Sequence, residues 1–233
     1  MKVAVHQPHY FPYPGFFHKL SLADAFVIMD DVQYDRGFVN RNRILDVHGP
    51  VWLTVPINKS QKFMTIAEVE VNNAIPWRED HLKKLQVSYA NSKYFHLYRD
   101  DLDRFYSRDW TTVFELDLAA LKLTMGWLGM DLPIILESEL GVSSTGTQRL
   151  VDVCAATGAD TYISGRGGKD YMDESLFGKN GITLEYQAYS PAEYPQRMSD
   201  SFVPDLSIID TLANLGPSTM GFITEPPQVL TAH

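Results

Sequence analysis

Hydrophobic positions divide the chain into stretches of different period. Near the N-terminus, Lys2 to Gln7 and Ala25-Phe26-Val27-Ile28-Met29 are apolar runs of strand length, each closed by polar residues. Between them Pro14 suits the first turn of a helix, and Phe16, Phe17, Leu20 and Ala23 then fall on one side of it. Strand, helix, strand is the order of a βαβ unit, whose ligand-facing edge lies beyond the C-terminal ends of its strands. His6 to Tyr10 and Asp30-Asp31 both stand at that edge and are expected to be neighbours. Further strands are expected over 51–57 (VWLTVPI) and over 66–71, where apolar and acidic residues alternate as on a half-exposed strand.

From 76 to 129 the period becomes helical. Pro76-Trp77 opens a segment through Tyr89, a second runs from Tyr94 to Tyr106, and a third from Thr111 to Leu128 stops at Gly129. Leu116, Leu118, Ala119, Leu121, Leu123 and Trp127 give the third a wide apolar stripe, which marks it as core. From Leu132 the alternation returns: strand over 133–136, helix over 147–156, strand over 161–164, helix over 171–177, strand over 182–186. Strands alternating with helices favour a parallel sheet. The predicted fold is therefore α/β, a mainly parallel sheet with flanking helices. It forms one unit over 1–233, in which the helical middle, 76–129, is an insertion or a small second lobe. Residues 225–233 lack periodicity and read as a frayed or draped tail.

Composition narrows the functional class. The 233 residues, 45% of them hydrophobic, suffice for a substantial core, and 29 acidic against 20 basic side chains give a formal charge of -9. That excess disfavours general nucleic-acid binding. It is uneven, because five basic residues (Arg36, Arg41, Arg43, Lys59, Lys62) against Asp46 make 36–62 a basic island, where a small anionic ligand is drawn in. Cys154 is the single cysteine and lies in an apolar helical stretch, so it reads as packed rather than nucleophilic. With no apolar signal core after Met1, the expected compartment is the reducing cytoplasm. Every hydrophobic run is interrupted well short of the roughly 20 residues a membrane span needs.

Candidate chemistry gathers in three places. In His6-Gln7-Pro8-His9-Tyr10-Phe11-Pro12-Tyr13-Pro14-Gly15, prolines fix a rigid path after the first strand, and polar side chains project from it. Its histidines, three apart, suit metal ligation, acid-base work or contact with a phosphoryl or carboxylate group. The ordinary alternative is one histidine capping the strand and the other on the surface. Asp30-Asp31 stands where α/β sheets place ligand-binding carboxylates, although neighbours in a strand point to opposite faces, so at most one enters a given pocket. A turn or helix cap is the plainer use for either. Downstream, Asn40 and Asn42 share one strand face and Arg41 and Arg43 the other, where two guanidiniums make a fork for phosphate or carboxylate, or simply a solvated basic strand. The third place is Ser164-Gly165-Arg166-Gly167-Gly168-Lys169-Asp170-Tyr171, a glycine-rich turn between strand and helix. Its backbone N–H groups can hold an anion, with Arg166 and Lys169 adding charge, unless it is a plain tight turn. Ser143 to Thr147 are read as helix capping. HExxH, paired CxxC, GxSxG, GxGxxG and the Walker P-loop are absent.

The motifs His6-Gln7-Pro8, Pro14-Gly15-Phe16-Phe17, Lys19, Asp24, Asp30-Asp31-Val32-Gln33, Asn40-Arg41-Asn42-Arg43 and Trp52-Leu53-Thr54-Val55-Pro56 resemble the WbqC-like family. The resemblance continues through Trp77, Tyr89, Tyr162-Ile163-Ser164, Tyr171, Tyr194-Pro195-Gln196 and Leu206 to Asp210, nearly the whole chain. It implies association with bacterial O-antigen and other surface-polysaccharide gene clusters, hence a cytoplasmic role around nucleotide-linked or otherwise activated sugars. It assigns no catalytic role to these residues. The strand, helix, strand order with a polar loop also resembles nucleotidyl-transferring α/β enzymes, but their HxGH spacing is absent.

Two functions fit. The first is a transferase that moves an acyl, aminoacyl or similar group to an amino sugar or another small amine. In it His6 is the acid or base, Asp30 or Asp31 orients it or binds a divalent metal, and the ligand-binding groups are Gln7, His9, Asn40, Arg41, Asn42, Arg43, Ser164, Arg166, Lys169 and Tyr171. The second is a non-catalytic sugar- or nucleotide-binding protein of a biosynthetic assembly, with exposed aromatics as stacking surfaces. Either expects a small anionic partner such as a nucleotide sugar.

Overall fold

A computed structural model of the chain describes residues 1–58, 61 and 63–225. The tail expected over 226–233, and Lys59 and Lys62 of the basic island, lie outside the described residues. Strand β1 (Lys2–His6) is followed by α1 (Pro14–Ser21), opened by Pro14 as its first residue, and β2 (Ala25–Ile28). One short turn, α2 (Arg36–Val39), leads into the antiparallel hairpin β3 (Arg41–Asp46) and β4 (Gly49–Thr54). Helices α3 (Trp77–Tyr89), α4 (Arg99–Tyr106) and α5 (Val113–Leu128) make the middle. Then come β5 (Ile134–Leu136), α6 (Gly146–Thr157), β6 (Thr161–Ser164), α7 (Glu174–Lys179), β7 (Thr183–Tyr186), α8 (Ile208–Leu215) and α9 (Thr219–Thr224).

Five strands form one parallel sheet in the order β5-β2-β1-β6-β7, with Val3 of β1 opposite both Ala25 of β2 and Tyr162 of β6. The chain builds outward from β1 through β2 to β5, then returns to lay β6 and β7 on the other side. The winding direction reverses between β1 and β6, and a crevice opens there beyond the C-terminal ends of the strands. Both faces of the sheet are covered, which is why its strands read as unbroken apolar runs. Ala4, Phe26, Ile28 and Ile163 share one core with α1, α3, α4, α5 and α8, whereas Val3, Val5, Val27 and Tyr162 share the other with α6 and α7. The split follows the two-residue period of the strands. No helix among the described residues is long and apolar enough to cross a membrane.

Several local expectations change. The half-exposed strand over 66–71 is a short helical turn, Ile66–Glu68, followed by isolated bridges. Thr65 and Glu68 cap that turn reciprocally: the Thr65 N–H donates to Glu68 Oε2 at 3.0 Å, so the T-x-x-E signal overrides the alternation. The segment from Tyr94 begins with a separate turn, Phe95–Leu97, before α4. The helix placed over 171–177 starts at Glu174, because Asp173 accepts from the Ser175 N–H and fixes the start there. Thr145 precedes α6 without a side-chain capping bond, and Ser144 Oγ instead donates to Asp152 at 2.5 Å. Gly129 ends α5 in the left-handed region, φ 64°, and Cys154 is buried, its thiol pushed up to about 11 by desolvation.

Candidate functional site

The segment after β1 is held open as a rigid loop. Asn42 Nδ2 donates to the Tyr10 carbonyl at 3.2 Å and to the Phe11 carbonyl at 2.7 Å, and Ser207 Oγ donates to the same Phe11 carbonyl at 3.0 Å. These bonds hold Phe11 at φ 43°, a left-handed conformation that a phenylalanine rarely adopts unaided. His6 and His9 meet edge to face with ring centroids 4.6 Å apart, and both pack on Phe16 of α1. His6 Nδ1 lies 2.9 Å from the Gln7 carbonyl, which can only accept, so Nδ1 carries the hydrogen and Nε2 is left as a lone-pair nitrogen. His9 Nδ1 is buried with no hydrogen-bond partner among the described residues.

Lys19 of α1 rises beneath this pair. It is 3% exposed, and its amine donates to the Val5 carbonyl at 3.1 Å. Desolvation brings the amine from its ordinary 10.5 to about 7. Desolvation also lowers both imidazoles, with Lys19 adding to the effect: His6 falls well below 6.5 and His9 to about 3. At neutral pH the crevice therefore holds two uncharged imidazoles and a lysine near its midpoint.

These groups line a cleft of about 570 Å³ at the β1/β6 reversal, closed by Tyr13, by Arg43 of β3, by Ser164 to Gly168 after β6, and by Gln187 and Tyr189 after β7. A second cavity of about 570 Å³ shares Val5, His6, Tyr162 and Tyr171 with it and extends past Gln7 and Asp31 to Arg149 of α6. His6 is thus common to both halves of one crevice. Two glycines are needed where the walls close in. A side chain at Gly168 would stand 2.3 Å from Ser164 Oγ, and one at Gly15 would stand 2.7 Å from the Tyr189 ring.

The predicted site residues divide into those that face the crevice and those that the fold uses. His6, Gln7, His9, Arg43, Ser164, Arg166, Tyr171 and Asp31 line it. Asp30 does not, since its oxygens accept from the Ser138 N–H at 3.0 Å and Ser138 Oγ at 2.6 Å, tying the end of β2 to the turn after β5. Only one of the adjacent aspartates can face the ligand side. Asn40 accepts from Tyr34 Oη at 2.8 Å and donates to the Val55 carbonyl at 2.6 Å, and Asn42 carries the loop carbonyls described above. Both asparagines are engaged by the protein, and neither lines this crevice. The guanidinium fork is not formed either. Arg41 donates to the Gly37 carbonyl and lies 4.2 Å over the Trp52 ring, and only Arg43 reaches the cleft. Lys169 turns away to sit 4.7 Å over the Tyr186 ring.

Among the described residues no three His, Cys, Asp or Glu side chains converge. The donor set for a divalent metal at His6 and His9 therefore stops at two. Arg36 of the basic island faces a separate cavity of about 840 Å³, lined also by Tyr34, Asn40 and Thr54.

Gln187, Tyr189 and Arg149 line the crevice without having been singled out in the sequence, and Lys19, which also lines it, was named only within the family motif and given no role. Lys19 had a signal, because it stands three residues after Phe16 on the apolar stripe of α1, an unusual place for an amine. Arg149 pairs with the fully buried Glu137, and Nη2 donates to the Asp31 carbonyl at 3.4 Å, so it braces the second cavity from α6. Gln187 Nε2 donates to the Gly15 carbonyl at 3.0 Å and draws the end of β7 against α1. Nothing local in the sequence marks either role.

Comparison with known proteins places the chain in a family. An uncharacterized protein of Mycobacterium tuberculosis is 28% identical over 224 residues, 95% of this chain and 97% of that protein. No solved structure matches the chain. The profile of the WbqC-like protein family matches residues 7–221, from the loop after β1 through the turn after β6 and beyond. The chain belongs to the WbqC-like protein family.

Proposed function

We propose that the chain is a group-transfer enzyme of surface-polysaccharide precursor synthesis. It takes a small anionic, activated substrate, of the class that nucleotide sugars represent, and moves an acyl, aminoacyl or similar group to an amine. The observation that carries this reading is the pair of uncharged imidazoles, His6 and His9, set at the reversal point of a parallel sheet with Lys19, Arg43 and Arg166 around them. An open α/β sheet binds ligands in that crevice.

His6 is the general base. Its Nδ1 hydrogen is committed to the Gln7 carbonyl, which aims Nε2 and keeps its lone pair free. The attacking amine loses a proton to Nε2 as its nitrogen bonds the acyl carbon. The bond to the leaving group breaks, and the same proton passes to that group, so atoms and charge balance. Arg43 and Arg166 hold the anionic end of the substrate. Asp31, on the far side of His6, faces the acceptor half of the crevice.

The test is turnover by wild type and His6→Gln with a panel of nucleotide sugars and activated acyl donors, read by mass spectrometry. A product from wild type and a loss of about 100-fold or more in the variant support the base assignment. Unchanged turnover in folded His6→Gln overturns it. Tight binding with no product under any cosubstrate would favour a non-catalytic binding protein, for which the 75% exposed Tyr171 at the mouth is a suitable stacking surface.

A further inference from the structure

Three polar groups in the β1/β6 cleft are incompletely partnered among the described residues, Arg43 reaching only the Asp205 carbonyl, through Nη2 at 3.4 Å. Lys19 donates to one carbonyl and to no other described group, while Arg43 Nε and His9 Nδ1 are buried without any partner. Buried donors of this kind are costly unless a ligand completes them. We propose that the cleft receives a diphosphate group, with Lys19 as its central contact, and that the ligand enters together with one proton that Lys19 holds while it is bound. The proposal rests on the group-transfer reading for the place of the substrate and adds its anionic class.

Charge selects diphosphate over a single carboxylate. The charged or titratable groups facing Lys19 are His6 and His9 from β1 and its loop, Arg43 from β3, Arg166 from the turn after β6, and Asp205 ahead of α8. With both imidazoles neutral, up to three cations stand against one carboxylate in a chain whose total is -9. One carboxylate ligand would leave guanidinium and ammonium donors unmet, whereas a diphosphate brings several charges and acceptor oxygens to all of them. Tyr171 also faces the cleft, and the other three cleft tyrosines, Tyr13, Tyr162 and Tyr189, are pushed up by desolvation and stay neutral.

The proton follows from the same surroundings. An amine near 7 is mostly uncharged at pH 7.5, and an anion beside it favours the ammonium form. Binding must then draw a proton from solution, and affinity must fall as pH rises from 7 to 9.

Calorimetry of the full chain with inorganic pyrophosphate at pH 7.5, in two buffers of different protonation heat, tests this. Wild type is expected to take up at most about three-quarters of a proton more per pyrophosphate bound than Lys19→Arg does. Lys19→Met, checked for folding by circular dichroism, is expected to bind about tenfold or more weakly with no uptake attributable to the amine. Lys19→Arg, permanently charged, is expected to bind, and its proton count is the reference for any proton that pyrophosphate itself gains or loses. Wild-type uptake no greater than that of Lys19→Arg, unchanged affinity in Lys19→Met, or no binding up to millimolar pyrophosphate would each overturn the inference. The His6 turnover assay is read independently of pyrophosphate, so the failure of either reading is distinguishable from failure of the other.

Discussion

Lys19→Met is expected to make the protein more stable. The folded chain holds the amine near 7, whereas the unfolded chain returns it to its ordinary 10.5. Between those values the unfolded state binds more protons, so wild-type stability rises with pH, and the deficit is fully developed below 7. At about 1.4 kcal/mol per pH unit, the unfavourable contribution is about 4 kcal/mol at pH 7 and about 2 kcal/mol at pH 9. Methionine fills a similar volume without a charge. It forfeits the bond from Nζ to the Val5 carbonyl, worth about 1 kcal/mol. The net gain is therefore about 3 kcal/mol at pH 7, shrinking to about 1 kcal/mol at pH 9. Urea unfolding of both proteins at pH 7, 8 and 9 measures this directly. A variant no more stable than wild type at pH 7, or a difference that does not shrink toward pH 9, refutes the reasoning that Lys19 sits in the crevice at the expense of the fold.

Three other substitutions probe the surroundings of the site. His9→Gln is expected to resist acid: the unfolded imidazole takes up its proton near 6.5 and the folded one only near 3, so wild type loses stability as pH falls through that window, and the variant is spared about 2–3 kcal/mol of that loss at pH 4.5, read by urea titration. Asp117→Asn is expected to raise the unfolding midpoint at pH 7 by about 1 kcal/mol or more. Both oxygens of Asp117 are buried without partners, and desolvation raises its carboxyl well above 3.8, so wild type loses stability as pH rises through the range between, a slope that the variant should lack. Asn42→Ala is expected to cost about 3 kcal/mol, because it strips its hydrogen bonds from the Tyr10 and Phe11 carbonyls, and amide exchange should rise across residues 7–13.

The parallel sheet was legible because both of its faces are buried. Runs such as Val3 to Val5 and Ala25 to Ile28 have no polar face to confuse the period, and the polar residues that close them mark the strand ends. The helical middle was legible from the apolar stripe of α5, with Gly129 marking its stop. Residues 66–71 failed because two signals competed. Alternation of Ile66, Glu68 and Glu70 with apolar neighbours mimics a strand, but the Thr65–Glu68 cap closes locally, without waiting for a partner strand. The basic pair Arg41 and Arg43 shares a face as the spacing predicts, yet Trp52, opposite Arg43 in the hairpin, lies beneath both guanidiniums and only the second reaches the cleft. A cross-strand aromatic cannot be anticipated from the spacing of one strand.

The motif that marks the family mixes two kinds of residue, and hydrogen bonding separates them. Asp210 accepts from Tyr89 Oη at 2.9 Å, Tyr194 Oη at 2.6 Å and Gln196 Nε2 at 3.0 Å, and Tyr89 Oη also accepts from the Leu45 N–H, so these motif residues tie α3, α8 and β3 into one piece. Asp30, Asn40 and Asn42 are likewise saturated by the protein. Each is held by the fold, and none lines the crevice. Lys19, His9 and Arg43 are the opposite case: desolvated, incompletely partnered and facing a cleft. Asp117 meets the energetic half of that description but lines neither half of the crevice, so an unpartnered polar atom marks a site only where a cavity reaches it. Folding alone gives no reason to bury an amine above Val5, since the substitution that removes it should stabilise the chain. On the proposal above the reason lies in what the crevice binds, and the proton count on pyrophosphate binding is the measurement that reads it without knowledge of the reaction.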